Sequence, residues 1–324
     1  MRPLTSPPTV SVIIVNYNGL AFLQPCLDAL HNAFLPHTHE VIVVDNASAD
    51  GSQALLRQRT DIQYIELTTN TGFTGGNNVG AGAASGEILL LLNNDTRLES
   101  SLAPLIDKAR EQGVGVAGCQ LRYGDGRTQF SFGLEHSPWR LILSWLGLEK
   151  RHAMPSVFRR LETDASLYLR SHDNVPWVSG AVLATPRILW QQLGGFDERF
   201  FMYCEDVDYC RRARLRGLRV AYVAESLVTH FEGAGKAWIG PAALLRSTRS
   251  YVIYLQKHFG PAQTRMTCVG LGLVFGLRAL VFKLQALTSS SQHRAGKQLK
   301  ASGFGKACHS MLSAAMTGKT PNLP

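Results

Sequence analysis

Three carboxylates within four positions, Glu205, Asp206 and Asp208, are the residues of this 324-residue chain best suited to moving a proton. A Gly-Gly turn (Gly194, Gly195) leads into four aromatics, Phe196, Phe200, Phe201 and Tyr203, and arginines follow at 211, 212, 214 and 216. Acidic side chains at a helix start are stabilised by the free backbone N–H groups and the dipole there. An acidic helix cap therefore accounts for Glu205 and Asp206 as readily as catalysis does. Apolar rings beside a carboxylate raise its proton affinity towards the range of a general base, which favours the catalytic reading. Asp208 and Arg212, four apart on the predicted helix, read as a structural ion pair.

A second oxygen-rich position follows an apolar run. Asn93-x-Asp95 comes directly after Glu87–Leu92 (EILLLL) and places two oxygen-bearing side chains on one side of a tight turn. That pattern suits a hard divalent cation shared with a diphosphate, and equally an ordinary Asn/Asp turn. Asp45 ends another apolar run, where it either accepts hydrogen bonds from a base or ribose or caps a turn. His230 ends a late strand, as a metal ligand or a partly buried histidine.

The elements that must position these residues are legible from periodicity. Val10–Val15 (VSVIIV) and Glu40–Val44 (EVIVV) are continuous β-branched runs, the pattern of strands buried on both faces. Ile62–Leu67 and Glu87–Leu92 are a third and fourth strand. Helices are predicted over Ala21–His31 and from Gly51 to Arg59, the latter capped within Ser48–Asp50. Asn70–Asn78 (NTGFTGGNN) reads as a loop leading into a short small-residue helix. Pro176–Ala184 reads as one strand, and Arg219–Val223 and Leu227–His230 as two short ones. The irregular region from Gln120 to Asn174 reads as strands plus a variable loop beside a substrate pocket. Strands alternating with helices predict a parallel, doubly wound α/β sheet, with ligands at the carboxyl ends of its strands. Asn16, Asp45, Asn70 and Asp95 fall at such ends.

Charge divides the chain. The net charge of +9 comes from 33 Lys and Arg against 24 Asp and Glu. Residues 233–324 hold twelve of the basic residues and no acidic one, so the preceding 232 carry a balance of −3. A near-neutral body with a basic tail points to a polyanionic partner for the tail. Six cysteines show no paired spacing, and the Pro-rich N-terminus reads as no signal peptide; reduced thiols in a cytosolic compartment are expected.

In chain order the stretches Val12–Asn18 (VIIVNYN), Val44–Ser52 (VDNASADGS), Asn70–Asn78, Leu91–Thr96 (LLNNDT), Val178–Ala181 (VSGA), Gly194–Glu198 (GGFDE), Phe201–Asp208 (FMYCEDVD) and Val228–His230 (VTH) form one set. The set resembles the inverting glycosyltransferases of family 2, and especially their bacterial rhamnosyltransferase-type members. It covers Thr9 to Phe231. The resemblance implies the GT-A fold, a doubly wound mixed sheet, followed here by a helical, basic C-terminal extension. It implies a catalytic domain over 1–232, with a nucleotide-sugar half to about residue 118 and an acceptor half from 119, and an extension over 233–324.

It also implies roles. Asp206 is the general base, with Glu205 contacting the acceptor. Asn93, Asp95 and His230 hold a divalent cation, Mg2+ or Mn2+. Asp45 recognises the nucleotide, together with Asn16, Asn70, Gly76, Asn77 and Asn94. Trp177, Gly180, Phe201 and Tyr203 line the acceptor side. Asn93 departs from the family's D-x-D pattern, although Asn does occur there in this subgroup. One lost charge weakens metal binding without nucleotide, so the donor diphosphate is expected to supply much of the coordination. A single base with no protein nucleophile gives inversion at the anomeric carbon.

The donor expected from the resemblance is dTDP-L-rhamnose, with UDP-hexoses or UDP-galactofuranose behind it. The acceptor is a glycan, polyprenyl-linked or on the cell surface, and the location is cytoplasmic, on the inner face of the plasma membrane. Met266–Leu287 is almost long enough to span a bilayer, but Arg278 and Lys283 interrupt it. An in-plane helix on an anionic membrane surface, or a soluble helix packed on the body, fits it better. Nucleic acid is excluded as a partner, because the acidic strand ends repel phosphates unless a metal intervenes. A nucleotidyltransferase would carry a basic Gly-rich loop where Asn16-Tyr-Asn-Gly stands, and Gly80–Gly86 precedes a strand instead of following one, unlike a dinucleotide fingerprint. Neighbouring carboxylates do not suit a glycosidase, which needs two facing each other across a bond.

Overall fold

The computed structural model describes residues 9–33, 37–147, 155, 162–231 and 240–322. Its elements are, in order, β1 (Val10–Asn16), α1 (Leu20–Ala33), β2 (His39–Asp45), α2 (Ser52–Gln58), β3 (Gln63–Glu66), α3 (Gly72–Ala83), β4 (Ile88–Leu92), β5 (Thr96–Leu98) and α4 (Ala103–Arg110). They continue as β6 (Val114–Arg122), β7 (Thr128–Gln129), β8 (Phe132–Gly133), α5 (Pro138–Trp145), β9 (Trp177–Val178), β10 (Val182–Pro186), α6 (Arg187–Leu193) and α7 (Glu205–Leu215). β11 (Arg219–His230), α8 (Gly240–His258), α9 (Pro261–Leu287) and α10 (Ser291–Thr317) complete the chain.

The two β-branched runs, β1 and β2, lie side by side in a mixed sheet ordered β3-β2-β1-β4-β10-β6-β11-β5, with β7 beside β6. β1 pairs in parallel with β2 and β4, and Asn16 lies directly beside Asp45 where β1 and β2 end. Alternation then sorts the side chains of β1. Val10, Val12 and Ile14 join the core with Leu23, Leu27 and Leu30 of α1, Leu56 of α2 and Leu105 of α4. Ile13 and Val15 face α3 on the opposite side, where a Cβ added to Gly80 or Gly76 would come within 2.5 Å of Ile13 or 2.6 Å of Val15. Those glycines let α3 lie directly on the strand. For the same reason the expected Asn70–Asn78 loop is helical from Gly72 onward; the glycines read as loop formers are close-packing residues.

Two further corrections concern the site itself. Pro176–Ala184 is not one strand: β9 pairs with β8 in a separate small sheet, while β10 runs antiparallel between β4 and β6. The break at Ser179–Ala181 frees Gly180 N, which donates to Asp206 Oδ2 at 2.9 Å. The two late strands are one, β11, whose register against β6 shifts between Val223 and Leu227.

The chain divides into two compact units, Met1–Leu134 with Asp164–Phe201 and Glu205–Gly235, and Glu135–Thr163 with Met202–Cys204 and Lys236–Pro324. The first contains the sheet. The region 120–174 is thus split between the units, part of its variable loop (148–154, 156–161) lies outside the described residues, and so does the expected boundary at 232–233. The second unit contains α5, α8, α9 and α10. Its core includes Phe275 and Phe304, with Trp145 edge-on to Phe275 at 5.0 Å. Arg278, the charge that interrupts the apolar stretch, donates from Nε to Trp145 O at 2.7 Å and lies over the Phe304 ring.

Candidate functional site

The carboxyl ends of β1, β2 and β4 carry the first cluster. Asn94 Nδ2 donates to Asn16 Oδ1 at 2.7 Å, and Asn16 Nδ2 donates to Asp45 Oδ2 at 2.8 Å. Asp45 Oδ1 accepts from Ser48 N and Gln53 Nε2. Asp45 and Asn16 are fully buried, and this network satisfies them as buried polar groups require. Asp45 therefore offers no exposed oxygen to a base; it ties the strand ends together. Asn70, Gly76 and Asn77 stand outside the network. Asn70 Oδ1 caps Gly72 N, Gly76 packs on Val15, and Asn77 donates to Phe73 O within α3.

Asn93 and Asp95 have a different partner from Asn94, the His230 imidazole. Asn93 Nδ2 lies 3.1 Å from His230 Nε2, and Asp95 Oδ1 lies 3.2 Å from the same nitrogen. β5 and β11 bring them together: Thr96 pairs with His230, and Phe231 N donates to Asp95 O. Gln129 Oε1, on β7, lies 3.1 Å from His230 Nδ1. With that carboxamide oxygen accepting the Nδ1 proton, the imidazole is the tautomer whose Nε2 lone pair faces Asn93 and Asp95. Two acceptor atoms, Nε2 and Asp95 Oδ1, at 3.2 Å repel unless a proton or a cation lies between them. One carboxylate and one imidazole, with an amide beside them, fit a divalent cation that takes its remaining ligands from phosphate oxygens. Among the described residues no group of three His, Cys, Asp or Glu forms a self-sufficient metal cage.

The second cluster is at the start of α7. Asp206 Oδ2 accepts from Gly180 N, and Oδ1 accepts from Val207 N at 2.8 Å. Ala181, the next residue after Gly180, accepts from Asn93 N at 2.9 Å. The dipeptide Gly180-Ala181 thus joins the Asp206 carboxylate to the Asn93 turn. Gly180 leaves room beside Asp206, for a Cβ there would meet only ordinary contacts of 3.4 Å with Asp206 Cβ and Phe73 Cε1. Asp206 is half-buried and reachable, whereas Glu205 is buried, and its Oε2 has no hydrogen-bond partner among the described residues. The Glu205 side chain is turned into the protein. Burial first, and then the neighbouring Asp206 charge, push its carboxyl well above the ordinary value.

The remaining expected acceptor residues are placed as follows. Trp177 is buried with Nε1 on Leu134 O, and Phe201 O accepts from Phe73 N. Tyr203 and Cys204 take left-handed backbone angles, φ 74° and 66°, immediately before α7. Two consecutive non-glycine residues there cost on the order of 1–3 kcal/mol each, the kind of strain found where a functional group is held in place. Asp208 does pair with Arg212, at 2.7 Å, and Arg212 also donates to Leu193 O and Gly195 O. Gln129 was not foreseen: one glutamine on a two-residue strand carries no periodic or motif signal.

This chain is similar in sequence and in structure to known proteins. The sequence profile described as "Glycosyl transferase family 2" matches residues 11–173, and "Glycosyl transferase family group 2" matches 141–293. An O-antigen biosynthesis protein, RfbC of Myxococcus xanthus, is 30% identical over 72% of this chain, which spans only 18% of that protein's length. The N-acetylglucosaminyl-diphospho-decaprenol L-rhamnosyltransferase of Mycobacterium tuberculosis is 27% identical over 77% of this chain and 85% of its own; the rhamnosyltransferase WbbL of Escherichia coli is 24% identical over 68% and 83%. In structure the chain is similar to a mannosyltransferase of Pyrobaculum calidifontis solved with GDP-Man and Mn2+, at a TM-score of 0.56 and 18% identity over 97% of this chain and 89% of that one.

Proposed function

This chain belongs to glycosyl transferase family 2, and we propose that it is an inverting, metal-dependent hexosyltransferase that moves L-rhamnose from dTDP-L-rhamnose to a hydroxyl of a lipid-linked glycan. The GT-A fold and the transferase class belong to the family. The names of two relatives support the rhamnosyl donor, and the diphospho-decaprenol substrate named for one of them supports the lipid-linked acceptor. A UDP-sugar is the second reading of the donor.

The observation that carries the reaction is the convergence at one end of the sheet. Asn93, Asp95 and His230 meet within 3.2 Å, and Gly180-Ala181 joins their turn to Asp206. Asp95 and His230, with Asn93, would hold a divalent cation, which neutralises charge growing on the leaving diphosphate. Gln129 holds the imidazole in the tautomer whose Nε2 faces that position. Two backbone N–H groups orient Asp206. Asp206 takes the proton from the acceptor hydroxyl as its oxygen attacks the sugar from the face opposite the diphosphate. The Asn94–Asn16–Asp45 network sets the shape of the nucleotide side through the strand ends. The sheet-containing unit (Met1–Leu134, Asp164–Phe201 and Glu205–Gly235) is the catalytic part in this reading, and the basic helices α8, α9 and α10 belong to the other unit. Six free cysteines suit a reducing, cytoplasmic compartment, and the diphospho-decaprenol substrate named for one relative supports a peripheral place on the inner face of the plasma membrane.

Incubating the purified protein with a panel of sugar nucleotides, with and without Mn2+, tests this reading. Metal-dependent release of nucleoside diphosphate from dTDP-L-rhamnose supports it. Turnover of that donor undiminished by chelation contradicts the metal, and turnover of a UDP-sugar alone contradicts the donor.

A further inference from the structure

Alpha-helix α9 is apolar on two faces and covered on one. Leu271, Val274 and Phe275 are buried within the second unit, but Met266, Val269, Leu273, Leu277, Leu280, Leu284 and Leu287 are exposed. Their spacing of three or four residues puts them in one stripe about 30 Å long. Leu273, Leu277 and Leu284 stand 66%, 55% and 54% exposed, far more than isolated surface leucines need explaining for. The helix is long and apolar enough to cross a membrane. Its inner face, however, is occupied by protein, and Arg265, Arg278 and Lys283 lie along it. A helix with one free apolar face lies in an interface and does not span it.

Charge identifies what covers the stripe. Residues 233–324 contain twelve Lys or Arg and no carboxylate side chain. Between α9 and α10 a groove of about 670 Å³ opens, with Leu280, Ala286 and Leu287 on its walls and Lys283 and Arg294 among its lining. Apolar walls with two exposed cations match a phospholipid: acyl chain against the leucines, phosphate against the cations.

We propose that the outer face of α9 is a docking surface for an anionic phospholipid bilayer, lying in the plane of the headgroups, and that the α9–α10 groove takes one lipid phosphate. The proposal concerns the second unit alone and stands whichever donor and acceptor the first unit uses.

Sedimentation of the full chain with vesicles of phosphatidylglycerol and phosphatidylcholine tests it. The wild-type chain is expected to bind these at least roughly tenfold more tightly than phosphatidylcholine alone, and to release as salt rises. Leu273→Gln with Leu277→Gln and Leu284→Gln is expected to weaken binding roughly tenfold or more with unchanged circular dichroism and melting. Lys283→Gln with Arg294→Gln, both surface changes, is expected to remove most of the preference for the anionic lipid and serves if the leucine variant does not fold. Failure of the intact chain to bind, or leucine and cation variants that bind as the wild type does, overturns the proposal. A wild-type dimer that the leucine variant converts to a monomer also overturns it, since the stripe then faces a second copy.

Discussion

Replacing Asp206 by Asn separates the chemical role of this carboxylate from its structural one. Asp206 accepts two backbone N–H groups, Gly180 through Oδ2 at 2.9 Å and Val207 through Oδ1 at 2.8 Å. Asparagine keeps the shape but has one acceptor oxygen, so an NH2 group must face one of those donors. Losing one cap-type bond at a half-exposed site costs about 1–2 kcal/mol. In a 324-residue protein, with an unfolding entropy of about 0.7 kcal/mol/K, that is a fall of roughly 1.5–3 °C in melting temperature, too little to unfold it. Loss of the proton acceptor is larger, a hundredfold or more in kcat. The donor KM should hold, because Asn93, Asp95 and His230 are untouched. Nucleoside diphosphate release during transfer, measured beside thermal melting, reads both quantities. A folded Asp206→Asn protein whose kcat stays within about tenfold of wild type would refute the reasoning.

Three further outcomes follow from the geometry. Because folding raises the Glu205 carboxyl, the folded state holds that proton more tightly than the unfolded chain, so its stabilising contribution is full below the ordinary value of 4.5 and is lost as pH rises through the folded value. Glu205→Gln should therefore melt near the wild type at pH 4.5 and increasingly above it towards pH 8; a margin that does not change with pH contradicts this. Gln129→Leu removes the acceptor on His230 Nδ1 and should weaken Mn2+ binding in the presence of nucleoside diphosphate by about 10–100-fold, while Gln129→Glu, which keeps an acceptor, restores it; electron paramagnetic resonance of free Mn2+ measures both. Gly72 has φ 77°, and a Cβ there would come within 2.2 Å of Phe201 O, so Gly72→Ala should lose about 2–4 kcal/mol in urea denaturation.

The sequence is most readable where one physical cause dominates. Val10–Val15 and Glu40–Val44 are dominated by Val and Ile and are largely buried, so their assignment as interior strands followed directly. Asn93, Asp95 and His230 were separable from ordinary turn and core residues only by their order along the chain, and β11 is what brings His230 to them. Readings failed where a residue type serves two ends. Glycine at 76 and 80 signals a loop locally, yet here its missing side chain admits a helix against β1. Ser179-Gly180 is a turn-type dipeptide inside an apolar run, and the run outweighed it, although the break supplies the N–H that holds Asp206. Glu205 and Asp206 are adjacent carboxylates of like charge, both suited to a helix start; the start of α7 turns one inward and leaves the other reachable. Gln129 is set by a contact 101 residues away in sequence, which no local pattern carries.

The central claim is that two protein ligands and a donor diphosphate complete one cation site. Titrating Mn2+ into the protein with and without dTDP, followed by electron paramagnetic resonance, tests it most directly. Each ligand should tighten the other by roughly tenfold or more, and Asp95→Ala should abolish this coupling while leaving the fold intact. Mn2+ and dTDP that bind independently of each other, or coupling that survives Asp95→Ala, would contradict it.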